Sequence, residues 1–311
     1  MNVLSLFDGI SCGQVALQRA GVSVTQYFVS EIDKHAISIT TKNFPNTIHL
    51  GDIKNIVSTS LPRIDLLIGG SPCQGFSFAG KQLNFNDPRS ALFFEYVRLL
   101  NEVKPSYFLL ENVNMKQEYQ DVISNLLKCA PIKINSALMS AQNRVRLYWT
   151  NIPDITQPND RGIYLEDILE SGVVDKDKSY CIDANYWKGT PLPAYFEKHR
   201  RQLVFQPLAC SERGRRLNPD ATKRDDKHGI VVRGYEITGK KTCALTTVQK
   251  DNLITENYEI RKLTPIECER LQTLPDNYTA GVSNTQRYKM LGNAWTVDVM
   301  AHIFKGINEG I

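Results

Sequence analysis

A chain of 311 residues, 42% hydrophobic and 23% charged, builds one large soluble domain or one domain and a smaller companion, and no apolar run in it reaches membrane-spanning length. Its net charge of +4 is uneven: Lys198–Lys250 holds 13 Lys and Arg against 5 Asp and Glu, a local +8 that leaves −4 for the rest. Seven cysteines, an odd number without a C-x-x-C pair, argue against a zinc site or a disulfide scaffold and for reduced thiols in a cytoplasmic setting.

Val3–Phe7 reads as a first strand, with no basic segment of a secretion signal ahead of it. Asp8–Gly13 is a glycine-bearing turn, and Gln14–Ala20 is a helix stopped by Gly21. Tyr27–Ser30 is a second strand, Lys34–Asn43 a helix halted before Pro45, and Thr47–Leu50 a third strand. Asp65–Gly70 is a fourth strand, Ser90–Val103 a helix, Tyr107–Leu110 a fifth strand ending at Glu111, and Gln120–Cys129 a helix. Lys133–Met139 and Val145–Thr150 look like a closing strand pair. Strands alternating with helices predict a mostly parallel sheet. From Asn151 to Glu259 the chain is rich in Pro, Gly, Asn and charge, with short candidate strands at Gly229–Arg233 and Ala244–Val248. Helical pattern returns at Thr264–Leu271, Thr285–Met290 and Thr296–Ile307. The expected organisation is a first domain over 1–160, a loop-rich second domain over 161–258, and a C-terminal segment over 259–311 that returns to the first.

The chemistry-bearing residues sit at strand ends, where α/β folds bind ligands. The turn Phe7-Asp8-Gly9-Ile10-Ser11-Cys12-Gly13 allows close backbone approach to a ligand but is not the G-x-G-x-x-G dinucleotide fingerprint. Glu31 and Asp52 end the second and third strands, placed to accept from ribose hydroxyls and from an adenine amine; each also reads as a helix N-cap or loop residue. Cys73 follows Pro72 on a stiff loop after two glycines, which suits a nucleophile, although a lone cysteine is more often structural. Glu111 ends the neighbouring strand, and Arg144 and Arg146 lie two apart and so point to one face. A thiol, an acid and two guanidiniums suit a heterocyclic base. The basic Lys198–Lys250 segment suits a polyanion, or is a solvated surface.

In order, LFDGISCG, SEID, GDI, GGSPCQGFS, FLLENV, QNRVR and RKLTPIECERL…LGNAWTV resemble the DNA (cytosine-5)-methyltransferases. FDGI, Arg144–Trp149 and Val282-Ser283-Asn284 are similar to the catalytic domain of the animal de novo enzymes, whereas Gln74, Gln142-Asn143 and Gly292-Asn293 look bacterial. The resemblance implies a Rossmann-like class I methyltransferase sheet, mostly parallel with one antiparallel strand. It implies S-adenosylmethionine as cofactor, lined by Phe7, Asp8, Gly9, Cys12, Glu31, Ile32, Asp52, Ile53, Pro72, Leu92, Asn293 and Trp295. It implies Cys73 as nucleophile to cytosine C6, Glu111 at N3 and the exocyclic amine, and Arg144 and Arg146 at O2 and the phosphate. Double-stranded DNA is the implied partner, met by Gln74, Ser77, Asn112 and Gln142 and, in a target-recognition domain, by Arg213, Arg215, Arg216, Arg224 and Arg233. A stand-alone prokaryotic or phage enzyme, with or without a cognate restriction enzyme, is the implied setting.

Three rivals are weighed. An RNA-directed relative carries a Cys-Phe-Thr tripeptide that this chain lacks. A catalytically dead relative would lack the cysteine or the glutamate, and both are present. A nicotinamide oxidoreductase is disfavoured by the missing glycine fingerprint.

Overall fold

A computed structural model describes residues 1–71, 88–217, 230–239 and 253–309. Seven strands build its main sheet: β1 (Asn2–Leu6), β2 (Gln26–Ser30), β3 (Ile48–His49), β4 (Leu66–Gly69), β5 (Tyr107–Val113), β6 (Ile132–Asn135) and β7 (Val145–Thr150). They lie in the order β3-β2-β1-β4-β5-β7-β6. All neighbours are parallel except β7, which runs antiparallel to β5 and to β6. The expected mostly parallel sheet with one antiparallel strand is therefore the sheet that forms.

The order reverses between β1 and β4, since the chain winds first toward β3 and then back toward β5. At such a switch point the connections part in opposite directions and leave a crevice beyond the strands' carboxyl ends. Helices α1 (Cys12–Ala20), α2 (Lys34–Asn43), α3 (Pro88–Val103) and α4 (Gln117–Leu127) make the connections. The central strands read as continuous apolar runs because both faces are covered. Leu4, Leu6, Leu67, Phe93, Tyr96, Phe108, Leu110 and Trp149 form one core at 8% exposure or less.

Several boundaries differ from the sequence reading; β6, expected over Lys133–Met139, ends at Asn135 and gives way to a 3-10 turn over Ser136–Leu138. Strand β5 continues through Glu111 to Val113, because Glu111 and Val113 pair with Tyr148 and Arg146 of β7. Helix α1 starts at Cys12 and α4 at Gln117, both earlier than the periodicity suggests. Hydrogen-bonded neighbours set these ends, not propensity.

The chain divides into two compact units: residues 1–168, 176–202 and 264–311, and residues 169–175 and 203–263. The first unit thus keeps 176–202, which sequence composition grouped with the second. That segment carries α5 (Leu192–Lys198) and is tied in by Asn143 N–H to Ser179 O at 2.9 Å and by Tyr186 stacking at 5.6 Å from Tyr288. The first unit also holds α6 (Pro265–Leu271), α7 (Asn284–Asn293) and α8 (Val297–Glu309). Thr264 starts α6 with a reciprocal cap to Glu267. Helix α8 packs against α1, so the C-terminal segment returns to the first strand's side.

The second unit, taken by itself, is a three-stranded antiparallel sheet of β8 (Leu203–Leu217), β9 (Ile230–Gly239) and β10 (Leu253–Lys262) in the order β10-β8-β9. β9 overlaps the strand expected at Gly229–Arg233; the one expected at Ala244–Val248 lies outside the described residues.

Candidate active site

A cavity of about 470 Å³ opens beyond the carboxyl ends of β1, β2, β4 and β5, lined wholly by the first unit. Phe7, Asp8, Gly9, Cys12, Glu31, Ile32, Asp52, Ile53, Leu92, Asn293 and Trp295 line one part of it. Glu111, Asn112, Arg144 and Arg146 line another. Of the residues expected at the cofactor, Pro72 alone lies outside the described residues, as do Cys73, Gln74, Ser77 and Arg224. Ser71, the last described residue before them, lines the cavity.

The turn after β1 is unusual backbone. Phe7, Gly9 and Ser11 take φ of 57°, 61° and 57°, a left-handed region that costs non-glycine residues about 1 kcal/mol or more. Two carboxylates hold it. Glu31 accepts from Gly9 N–H at 2.8 Å through one oxygen, and from Ile32 and Asp33 N–H at 2.7 and 2.8 Å through the other. Asp8 accepts from the Ser11 hydroxyl and from Tyr27 OH. Burial pushes the Asp8 carboxyl up to about 6, against the hydrogen bonds from Ser11, Ser5 and Tyr27. Burial also pushes the Cys12 thiol up to about 12, so Cys12 is inert wall, not a nucleophile.

Ile32 is 74% exposed on this wall, an apolar face for a flat ring. Asp52 caps the short turn over Ile53 by accepting from Lys54 N–H at 3.0 Å. Asp33, which caps α2 through His35 N–H, pairs with Lys289 at 2.8 Å. A wall of Asp8, Glu31, Asp33 and Asp52 repels a polyphosphate and favours a cationic nucleoside. The donor set and the bare isoleucine therefore fit S-adenosylmethionine.

The other part centres on Glu111 and Arg146, an ion pair at 3.0 Å with both side chains largely buried. Antiparallel register explains it: Tyr148 faces Glu111 and Arg146 faces Val113, which makes Glu111 and Arg146 diagonal neighbours. Burial works hardest against the Arg146 charge, but the Glu111 carboxylate, Cys181 and Tyr148 together outweigh it and the net direction is up. Gly70 leaves room: a Cβ there would stand 3.0 Å from Trp295 Nε1 and 3.2 Å from Glu111 Oε2.

Three of the expected site residues make contacts within the protein. Arg144 was expected at O2 or a phosphate. It is 3% exposed, and its terminal nitrogens bond Ile182 O (3.1 Å), Gly292 O (3.3 Å) and Ala294 O (2.8 Å). Burial, with Arg146 alongside, pushes its pKa down. Gln142 was expected at DNA but is fully buried, donating to Leu271 O at 2.8 Å and Gln272 Oε1 at 3.0 Å. Asn112 is 2% exposed; its amide nitrogen holds Ser71 Oγ at 3.3 Å, anchoring the start of the Cys73 loop. Arg213, Arg215 and Arg216 lie along β8, and Arg233 of β9 pairs in register with Gly214. The sequence reading missed Asp33, Lys289 and Gln272; only an Asp ahead of a helix start signalled the first.

An α/β switch-point crevice lined by anchored carboxylates thus meets a buried acid–guanidinium pair. Residues 1–309 match the model of the C-5 cytosine-specific DNA methylase family. The type II methyltransferase M1.ScrFI of Lactococcus lactis subsp. cremoris is 33% identical over 99% of this chain and 78% of its own length. The orphan methyltransferase M.SPRI of Bacillus phage SPR is 27% identical over 98% and 97%. Among solved structures, Spodoptera frugiperda DNMT2 superposes with a TM-score of 0.63 at 21% identity, covering 99% of both chains, a likeness of fold. The chain belongs to the C-5 cytosine-specific DNA methylase family and is a DNA (cytosine-5-)-methyltransferase.

Proposed function

We propose that this enzyme methylates a flipped-out cytosine within a specific duplex sequence, through a transient bond between Cys73 and C6 of the base. The observation that carries the reading is the Glu111–Arg146 pair beside an anchored-carboxylate nucleoside site in one cavity. When bound, S-adenosylmethionine supplies an electrophilic methyl group on a sulfonium. Glu31 would accept from the ribose hydroxyls, Asp52 from the adenine amine, and Ile32 would cover the adenine face.

Cytosine C5 is a poor nucleophile. Addition of the Cys73 thiolate to C6 breaks the C5–C6 double bond and places its electron pair on C5. Glu111 stabilises that state by sharing a proton with N3 and accepting from the exocyclic amine, while Arg146 orients the Glu111 carboxyl and faces O2. C5 then takes the methyl group with its electron pair, as the S–CH3 bond breaks and sulfur leaves as a neutral thioether. Loss of the C5 proton to a base re-forms the double bond and expels the thiolate. A paired cytosine cannot enter such a pocket, so it must leave the stack at a cost of a few kcal/mol. The second unit, with its arginine-bearing β8 and β9, would read the target, and its basic charge makes affinity fall with salt. Prokaryotic or phage cytoplasm, with or without a cognate restriction enzyme, is the setting that the named relatives favour.

Duplex DNA with 5-fluorocytosine at the target tests this, because fluorine cannot leave C5 as a cation. A complex that survives SDS should form with S-adenosylmethionine and vanish in Cys73→Ser. Peptide mapping must place the bond on Cys73 and not on Cys181, the thiol 3.3 Å from Arg144. An adduct that persists in Cys73→Ser sinks the mechanism. Bisulfite sequencing of DNA from expressing cells reads the target.

A further inference from the structure

Behind the cavity lies a buried amide that no step of the reaction uses. Gln272, just past the end of α6, has no exposed surface. Its nitrogen donates to Leu291 O at 2.8 Å and to Ala294 O at 3.2 Å. Its side-chain oxygen accepts from Gln142 Nε2 at 3.0 Å and Thr296 Oγ1 at 2.9 Å. An amide side chain has two donor hydrogens and two acceptor lone pairs, so all four are in use. The carbonyls that accept from it lie in the last turn of α7 and at the residue just past it, where intrahelical donors run out. Arg144 reaches the same turn from the other side and shares Ala294 O with Gln272. Gly292 closes the grip, because a Cβ there would overlap the Asp183–Ala184 backbone.

This turn carries Asn293 and Trp295 into the cavity, and Trp295 stands beside Gly70 at the Glu111 side. One buried amide and one guanidinium thus hold a turn that borders both parts of the site. We propose that Gln272 is a positioning residue: it sets the Asn293–Trp295 turn for the cofactor. The proposal rests on the reading of the cavity as the S-adenosylmethionine site. Its geometry excludes a substitute of equal size: glutamate keeps the acceptors but cannot donate to Leu291 O and Ala294 O, and methionine does neither.

The probe is S-adenosylhomocysteine, titrated by calorimetry into the full-length protein with and without duplex DNA. Gln272→Met should weaken its binding about tenfold and Thr296→Val, which removes one bond to the amide, about threefold. Duplex affinity without the probe should stay within twofold in both variants. In turnover, KM for S-adenosylmethionine should rise more than kcat falls. Thr150→Val is the stability control, since it removes a buried bond to Phe108 O away from the cavity; it should lower the unfolding midpoint and leave probe affinity unchanged. Probe affinity within twofold of wild type in Gln272→Met and Thr296→Val overturns the positioning role. If Gln272→Met fails to fold, Thr296→Val decides by itself. A wild-type protein that does not bind the probe overturns the cofactor reading of the cavity and the positioning role with it; normal wild-type binding with unaffected variants overturns the positioning role only.

Discussion

The two parts of the cavity are built in different ways. The nucleoside side is local: Glu31 is fixed by the N–H groups of Gly9, Ile32 and Asp33, and Asp52 caps its own following turn. The base side is assembled from afar: Glu111 meets Arg146 across an antiparallel pair, and Arg144 is held by carbonyls of residues 182, 292 and 294. Backbone anchoring gives a rigid acceptor at little entropic cost, whereas long side chains keep their geometry only if the surrounding packing holds them. The Glu31 and Asp52 anchors should therefore tolerate distant changes, whereas the Glu111–Arg146 pair and the Asn293–Trp295 turn, held by Gln272 and Arg144, should not.

Glu111→Gln breaks the base side alone and should have the largest effect. An amide keeps the shape but loses the charge that Arg146 answers and the proton exchange with the base. Methyl transfer should fall roughly a thousandfold, within the range for a positioned acid–base group, while S-adenosylhomocysteine affinity stays within twofold. A comparable loss of cofactor affinity would erase the division between the two parts.

Asp8→Asn sharpens the comparison from the nucleoside side. The Asp8 carboxyl titrates near 6 when folded, against an ordinary 3.8. Between those values the folded protein binds the extra proton, so this group's contribution to stability falls as pH rises and is constant above the folded value. The shift corresponds to about 3 kcal/mol at about 1.4 kcal/mol per pH unit. Denaturant unfolding should find that Asp8→Asn gains on wild type by up to about that much between pH 4 and pH 7. A gap that is flat with pH would mean that Asp8 is not the buried charge described here.

Glu31→Ala removes an acceptor for two hydroxyls and should weaken S-adenosylhomocysteine binding by about 2 kcal/mol, near thirtyfold, the scale of hydrogen bonds to a charged group. Unchanged affinity in a folded variant would remove Glu31 from the nucleoside site. Ile32→Ser is the mildest break. It strips apolar surface from one face of a ring and should cost about 1 kcal/mol or less in the same titration. An effect as large as that of Glu31→Ala would mean that apolar cover, not the anchored carboxylate, carries the affinity.

The order of short motifs along the chain was enough to place the strands of the main sheet and the crevice at their carboxyl ends, because those residues act within a turn or two of their own strand ends; Asp33 and Lys289, and strands β8 and β10, were not legible in it. Propensity and pattern operate at that range. Glu111 and Arg146 were also legible as types, but their pairing was not, since it depends on β7 running antiparallel to β5. The protein contacts of Arg144, Gln142 and Asn112 were not legible for a related reason: polar side chains next to a site look alike in sequence whether they face a substrate or a carbonyl in the core. Only tertiary burial separates those outcomes, because a buried donor must find whatever acceptor the fold brings to it. The same holds for Gln272, whose four partners come from residues 142, 291, 294 and 296. Local chemistry decided what this chain can bind, and long-range packing decided which side chains are left free to bind it.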